Sequence, residues 1–209
     1  MYKKEYSLLF LLVLSGILFL SCQKEIDGSL APGFTPPTPT NLKPRLGTTW
    51  TYRYYIYHQD GSLYQSKIMT LKAKSEDTLA GEKWLNVVDV DKDTTVWLLQ
   101  SKTDGLYQYT NNTSSLFCKD PASAGDVYNT YNDGFPETFY VRTMNDTLAT
   151  GIGNIPLNYY EGYRSSLRVD LIWYNKNAWI VWKTQYRNRA QVGFFWYKHS
   201  TLFLDQIVY

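Results

Sequence analysis

From Thr49 to Tyr57 the chain alternates residue by residue: Trp50, Tyr52, Tyr54 and Ile56 fall on one side, Thr51, Arg53, Tyr55 and Tyr57 on the other. A period of two held that long marks a strand, because the same residues wound on a helix would scatter their apolar members round the axis. Asp60-Gly61 follows, and the glycine supplies the positive φ of a tight hairpin. Strand-like runs recur at 63–73, 83–90, 95–101, 106–109, 138–144, 165–174, 178–186, 193–198 and 201–208. Turn residues separate them, as in Thr103-Asp104-Gly105, Asn132-Asp133-Gly134 and Asn175-Lys176-Asn177. No segment carries a capped apolar stripe of helical period. Strands at hairpin spacing predict an all-β domain: one antiparallel sheet, curved or closed as an up-and-down barrel, with a β-sandwich as the alternative. Residues 119–136 are the least regular and read as a long mobile loop.

The amino terminus is of another kind. Lys3 and Lys4 precede a nearly unbroken apolar run over 8–20, shorter than the ~20 residues a helix needs to cross hydrocarbon. A basic start and a short apolar run make a secretory signal peptide. It ends Phe19-Leu20-Ser21-Cys22, which resembles the lipoprotein box of bacterial exported proteins, with Phe19 where Leu or Val is usual. The resemblance implies cleavage before Cys22 and acylation of its thiol, small Ser21 letting the peptidase close on the bond. More than one acyl chain gives a stable anchor without a spanning segment. Gln23, Lys24, Glu25 and Asp27 then resemble the surface-export signal of Bacteroidota lipoproteins. That implies an outer-membrane protein facing outward, a periplasm-facing one being the alternative.

Residues 22–44 scatter Pro32, Pro36, Pro37, Pro39 and Pro44 among Thr, Gly and Ser, the composition of an extended, disordered tether. The organisation is therefore signal peptide over 1–21, lipidated linker over 22–44 and all-β domain over 45–209. A net charge of +2 with no basic arm argues against nucleic acid as a partner. Cys118 is the one cysteine besides Cys22, so the domain has no internal disulfide, and Phe117 beside it favours a buried thiol.

Pro44-x-x-Gly47-x-x-Trp50-x-Tyr52 opens the domain. Asn145-Asp146-Thr147-Leu148 leads through Gly151-Ile152-Gly153 to Tyr159-Tyr160, and Gln191-Val192-Gly193-Phe194-Phe195 stands near the end. Together these landmarks resemble a class of Bacteroidota surface lipoproteins of unknown function whose domains start Gly-x-x-Trp-x-Tyr. The resemblance lends no catalytic residues.

Chemistry is sparse. His58 and His199 are the only histidines, and no Gly-x-Ser-x-Gly elbow accompanies them. Asp89, Asp91 and Asp93 alternate as in calcium loops, but Thr94 and Gln100 stand where such a loop needs Gly and Glu. No cluster offers zinc its ligands. Neither a metal, a cofactor nor a catalytic group is expected. Asp77-Thr78-Leu79, Asp93-Thr94-Thr95 and Asp146-Thr147-Leu148 resemble the O-glycosylation motif of Bacteroidota exported proteins, implying sugar on Thr78, Thr94 and Thr147; Asp-Thr is equally good turn chemistry. Aromatic residues make up 17% of the chain. They suit pleated surfaces and also stack on sugars, which nominates Tyr55, Tyr57 and Trp179 as ligand-facing rings. The expected function is a non-catalytic binding or accessory module at the outer-membrane surface, for a glycan or similar ligand. A structural component of an envelope protein complex is the alternative, and an enzyme comes third.

Overall fold

The computed structural model describes residues 42–132, 134–188 and 196–209. The expected signal peptide over 1–21, Cys22 and the expected export residues Gln23, Lys24, Glu25 and Asp27 lie outside them. Twelve strands follow in order: β1 (Thr49–Tyr57), β2 (Leu63–Leu79), β3 (Glu82–Asp89), β4 (Thr94–Lys102), β5 (Gly105–Thr110), β6 (Thr113–Lys119), β7 (Val127–Asn132), β8 (Phe135–Thr150), β9 (Gly153–Arg164), β10 (Leu167–Asn175), β11 (Trp179–Asn188) and β12 (Trp196–Val208). All belong to one antiparallel sheet, ordered β6-β5-β4-β3-β2-β1-β12-β11-β10-β9-β8-β7. First and last strands pair directly, Thr49 opposite Val208 and Ile56 opposite Ser200. The sheet curls into a nearly closed barrel, so the sandwich is set aside.

Two six-stranded meanders thus meet at β1/β12, and their free edges, β6 and β7, face each other. No ladder joins those edges. Side-chain hydroxyls bridge the seam instead: Ser115 Oγ donates to the Tyr131 carbonyl at 2.6 Å and Tyr128 OH to the Phe117 carbonyl at 2.9 Å. Tyr160 OH adds a bond to the Lys119 carbonyl at 2.6 Å. Exposed strand edges invite pairing with other chains, and this seam shields them without a continuous ladder. The expected loop over 119–136 contains a strand, β7. Tyr128, Thr130 and Asn132 give it an alternating inward face, which the polar character of Thr and Asn hides at the level of sequence.

Inward-facing residues build the core. Trp50, Tyr52, Leu71, Trp97, Leu99, Leu106, Phe139, Leu157, Ile172 and Leu204 are all buried. Outward faces carry ion pairs such as Arg53–Asp205 and Arg142–Glu161, each at 2.8 Å.

One end is packed shut. Trp50 and Trp179 stack there with centroids 5.6 Å apart. The indole N–H of Trp50 donates to the Ala178 carbonyl at 3.0 Å, and Tyr52 OH donates to that of Ile180 at 2.7 Å. Burial pushes the Tyr52 phenol far up, so it stays a donor at any physiological pH. The hairpin tip between β8 and β9 bends across this end, and Gly151 lies so close that a Cβ would meet the Asp205 carbonyl at 2.3 Å. Only glycine fits that approach. The described chain also joins the barrel here, Gly47 N–H bonding the Ala73 carbonyl at 2.9 Å.

Candidate functional site

The other end is open. Between the carboxyl end of β1 and the hairpins β7–β8 and β9–β10 the barrel holds a cavity of about 610 Å³, within the ~300–1,000 Å³ typical of small-molecule sites. Trp97 forms its floor. That ring is buried, meets Tyr52 edge-on at 6.5 Å, and also belongs to the closed-end cluster, where packing leaves no room for a water molecule. The walls differ by strand. From β1, β2, β4 and β12 come Tyr54, Met69, Val96 and Leu202; from β9, β10 and β11 come Arg164, Asp170, Lys183, Gln185 and Arg187, with Val169 and Tyr186 among them, and Phe135 of β8 at the rim.

Behind the polar wall lies a buried charge network. Glu137, inaccessible to solvent, pairs with Arg164 Nη2 at 2.5 Å. Asn132 Nδ2 donates to Glu137 Oε2 at 3.1 Å and to Asp170 Oδ2 at 2.6 Å. Lys183 Nζ lies 3.7 Å from Asp170 Oδ1 and 5.2 Å from the centroid of the Phe117 ring. Asp170 is 2% exposed and Lys183 5%. Charges so far from water persist only when paired and hydrogen-bonded, and each carboxylate here has its own cation. Arg164 also lies over the Phe135 ring at 4.2 Å, tying the network to the rim. A bulge between Gln185 and Tyr186 in the β11–β12 ladder turns Gln185, Tyr186 and Arg187 together onto the cavity, a re-aiming that bulges commonly perform.

None of these residues was nominated by the sequence, yet a signal exists. Lys183 follows Val181 at strand spacing, and Asp170 precedes Ile172 and Tyr174 likewise. A charge on an otherwise apolar inward face is the pattern that finds them.

The nominated rings are dispersed. Trp179 is 2% exposed, its ring covered by Trp50, so no face remains for a ligand; this corrects its assignment as a binding residue. The outward tryptophan of that strand is Trp182. Tyr55 and Tyr57 sit half-buried on β1, on the outer surface of the barrel, with no second layer of the described residues over them. Tyr57 lies under Lys198 Nζ at 4.4 Å, in a shallow groove shared with His58, Tyr64, Tyr197 and His199. The outer wall also carries an aromatic row in direct cross-strand register: Tyr159, Trp173, Trp182, Phe203, then Arg53. Tyr159 stacks on Trp173 at 4.4 Å and Trp173 on Trp182 at 4.5 Å, with Arg53 over Phe203 at 4.9 Å. Sugars stack on free ring faces, and here the faces cover one another. The row is a set of stabilising cross-strand pairs.

The remaining candidates read as structure. His58 packs against Tyr64 at 4.8 Å, and the neighbouring Ser62 hydroxyl donates to Asp60 at 2.6 Å, not to an imidazole. Burial, aided by the charge of Arg187, holds His199 below the usual histidine range. Asp89 caps the β3–β4 turn by accepting from Asp91 N–H at 3.0 Å, and Asp93 pairs with Lys74 at 2.5 Å. Among the described residues no His, Cys, Asp and Glu cluster suited to a metal occurs. Cys118 is fully buried, and burial drives its thiol pKa up. Thr78, Thr94 and Thr147 are exposed; Thr78 and Thr147 stand within β2 and β8, and Thr94 opens β4.

No family model matches the chain, and no curated protein does. A solved domain described as an outer membrane lipoprotein-sorting protein, from Vibrio parahaemolyticus, is similar at 10% identity with a TM-score of 0.23, over 78% of this chain and 85% of that one. So loose a likeness decides nothing about function.

Proposed function

We propose that the protein is a lipid-anchored, non-catalytic binding module of the outer membrane or cell surface, and that its ligand occupies the open mouth of the barrel. The cavity with one apolar and one charged wall carries this reading. A barrel built only for stability gains most by filling its interior, as the closed end does, whereas the mouth keeps a ligand-sized space above Trp97. Pairing of both buried carboxylates with cations favours recognition over acid–base chemistry, because neither group is left to exchange protons with a substrate. A glycan version of the same reading places the sugar against Tyr54 and Trp97 inside the mouth, not on the outer face of β1.

Filling the space tests the site. In the mature chain over 22–209, carrying Cys22→Ala to remove the acyl chains, a neutral polarity-sensitive dye such as Nile red is expected to bind one to one. Met69→Trp and Leu202→Trp should each weaken that binding at least tenfold while the melting temperature stays near that of the parent. Equal binding by the filled variants would exclude the mouth.

The anchor is tested separately. In the producing cell, Cys22→Ala should shift the protein from the detergent phase to the aqueous phase on Triton X-114 partitioning. Retention in the detergent phase would mean that another segment holds the membrane.

A further inference from the structure

We infer that the mouth selects a monoanionic amphiphile, a carboxylate carried on an apolar body. The charge sits on β11, and the body lies against Trp97, Met69 and Leu202. This deepens the reading of the mouth as a ligand site and rests on it. The division of the walls comes first. Every lining residue from β1, β2, β4 and β12 is apolar or aromatic, while all the charged ones, Arg164, Asp170, Lys183 and Arg187, come from β9, β10 and β11, beside Gln185, Val169 and Tyr186. A ligand apolar throughout would strip water from the charged wall without replacing its hydrogen bonds, and one polar throughout would leave the opposite wall uncovered. Both walls are satisfied together only by an amphiphile.

The sign of its charge follows from the pairing. Glu137 neutralises Arg164, and Asp170 neutralises Lys183. Arg187, exposed at the rim and turned inward by the bulge, has no carboxylate partner among the described residues. Among the described residues one positive charge is therefore left over on the wall, beside the Gln185 amide. A neutral group laid over that guanidinium would cost it hydration, whereas a carboxylate forms the short, charge-assisted and often bidentate bonds that guanidinium favours.

The test titrates the mature Cys22→Ala chain with decanoate and with decanamide, its uncharged counterpart, by calorimetry at low and at physiological salt. Decanoate is expected to bind at least tenfold tighter, with the advantage reduced at higher salt. Arg187→Gln should bring the two within about threefold and leave decanamide unchanged. Equal affinities in the parent chain would overturn the anionic class while leaving the mouth a ligand site. A preference undiminished in Arg187→Gln would overturn the seat on β11. Failure of both probes to bind would overturn the amphiphile, and the dye measurement on Met69→Trp and Leu202→Trp decides independently whether the mouth reading falls with it.

Discussion

Trp179→Ala is expected to lower the stability of the domain by about 3–5 kcal/mol, the usual cost of removing a large buried ring. For a domain of this size that corresponds to a fall in melting temperature of roughly 10 °C or more. The ring is 2% exposed and stacks on Trp50 with an interplanar angle of 22°. Its loss would open a hole at the closed end, between two meanders that meet nowhere else by a backbone ladder except at β1/β12. Two companion variants separate the causes. Trp179→Phe should cost much less, since it keeps an aromatic ring against Trp50. It also removes an indole N–H that is buried without an acceptor among the described residues, a group costly to leave unsatisfied. Trp179 further adopts a positive φ of 64°, which costs an L-residue roughly 1–2 kcal/mol. Trp179→Gly should therefore be no worse than Trp179→Ala although it is smaller still. A Trp179→Ala chain that melts like the parent would show that the stack does not hold the closed end together.

The same residue shows where a sequence stops being readable. Alternation through Trp179, Ile180 and Trp182 says that the two tryptophans and the isoleucine cannot all share one face, but not which tryptophan turns inward. The ladder decides that. A bulge between Trp173 and Tyr174 shifts the register against β11, so that Trp173 pairs Trp182 while Tyr174 pairs Ile180, and Trp179, left-handed at the start of the strand, departs from simple alternation and is buried as well. β1 was legible because the register shifts in its two ladders place the extra residue on β12 and on β2, so its own alternation runs unbroken and Trp50 and Tyr52 face inward as its period requires. β7 was not, because its inward residues, Thr130 and Asn132, are polar. Their burial is stabilised by contacts from β6, β8 and β10 that no local pattern contains. Barrel closure was likewise beyond the sequence, since pairing of β1 with β12 joins residues at opposite ends of the chain, and the seam depends on single hydroxyls of Ser115 and Tyr128. The charged wall suffers from both effects. Glu137, Arg164, Asp170 and Lys183 lie on four strands, and each alone looks like an ordinary surface charge until the sheet curls and sets them inside.

Lys183→Met is expected to destabilise the domain by about 3–5 kcal/mol, because removing one partner of a buried pair leaves the other charged and uncompensated. Asp170 would keep the Asn132 bond at 2.6 Å but lose its cation, in a place 2% exposed. Packing alone cannot account for such a loss, since methionine is close to lysine in volume and retains contact with the Phe117 ring. The double variant Asp170→Asn with Lys183→Met should recover most of the deficit. An amide can still accept from Asn132 Nδ2, and no net charge remains to be solvated. A coupling of about 2 kcal/mol or more between the two positions, measured by urea unfolding of all four chains, would mark the pair as a single unit. That size separates it from surface pairs such as Lys74–Asp93, both of whose partners are exposed and for which ~0.2–1 kcal/mol is usual. A single-variant cost below about 1 kcal/mol would mean that water entering through the mouth already solvates Asp170. The charged wall would then be a hydrated lining and not a rigid frame. A large coupling instead makes the polar wall pre-formed, so that a ligand meets groups already fixed in place and association need not supply the entropy of ordering them.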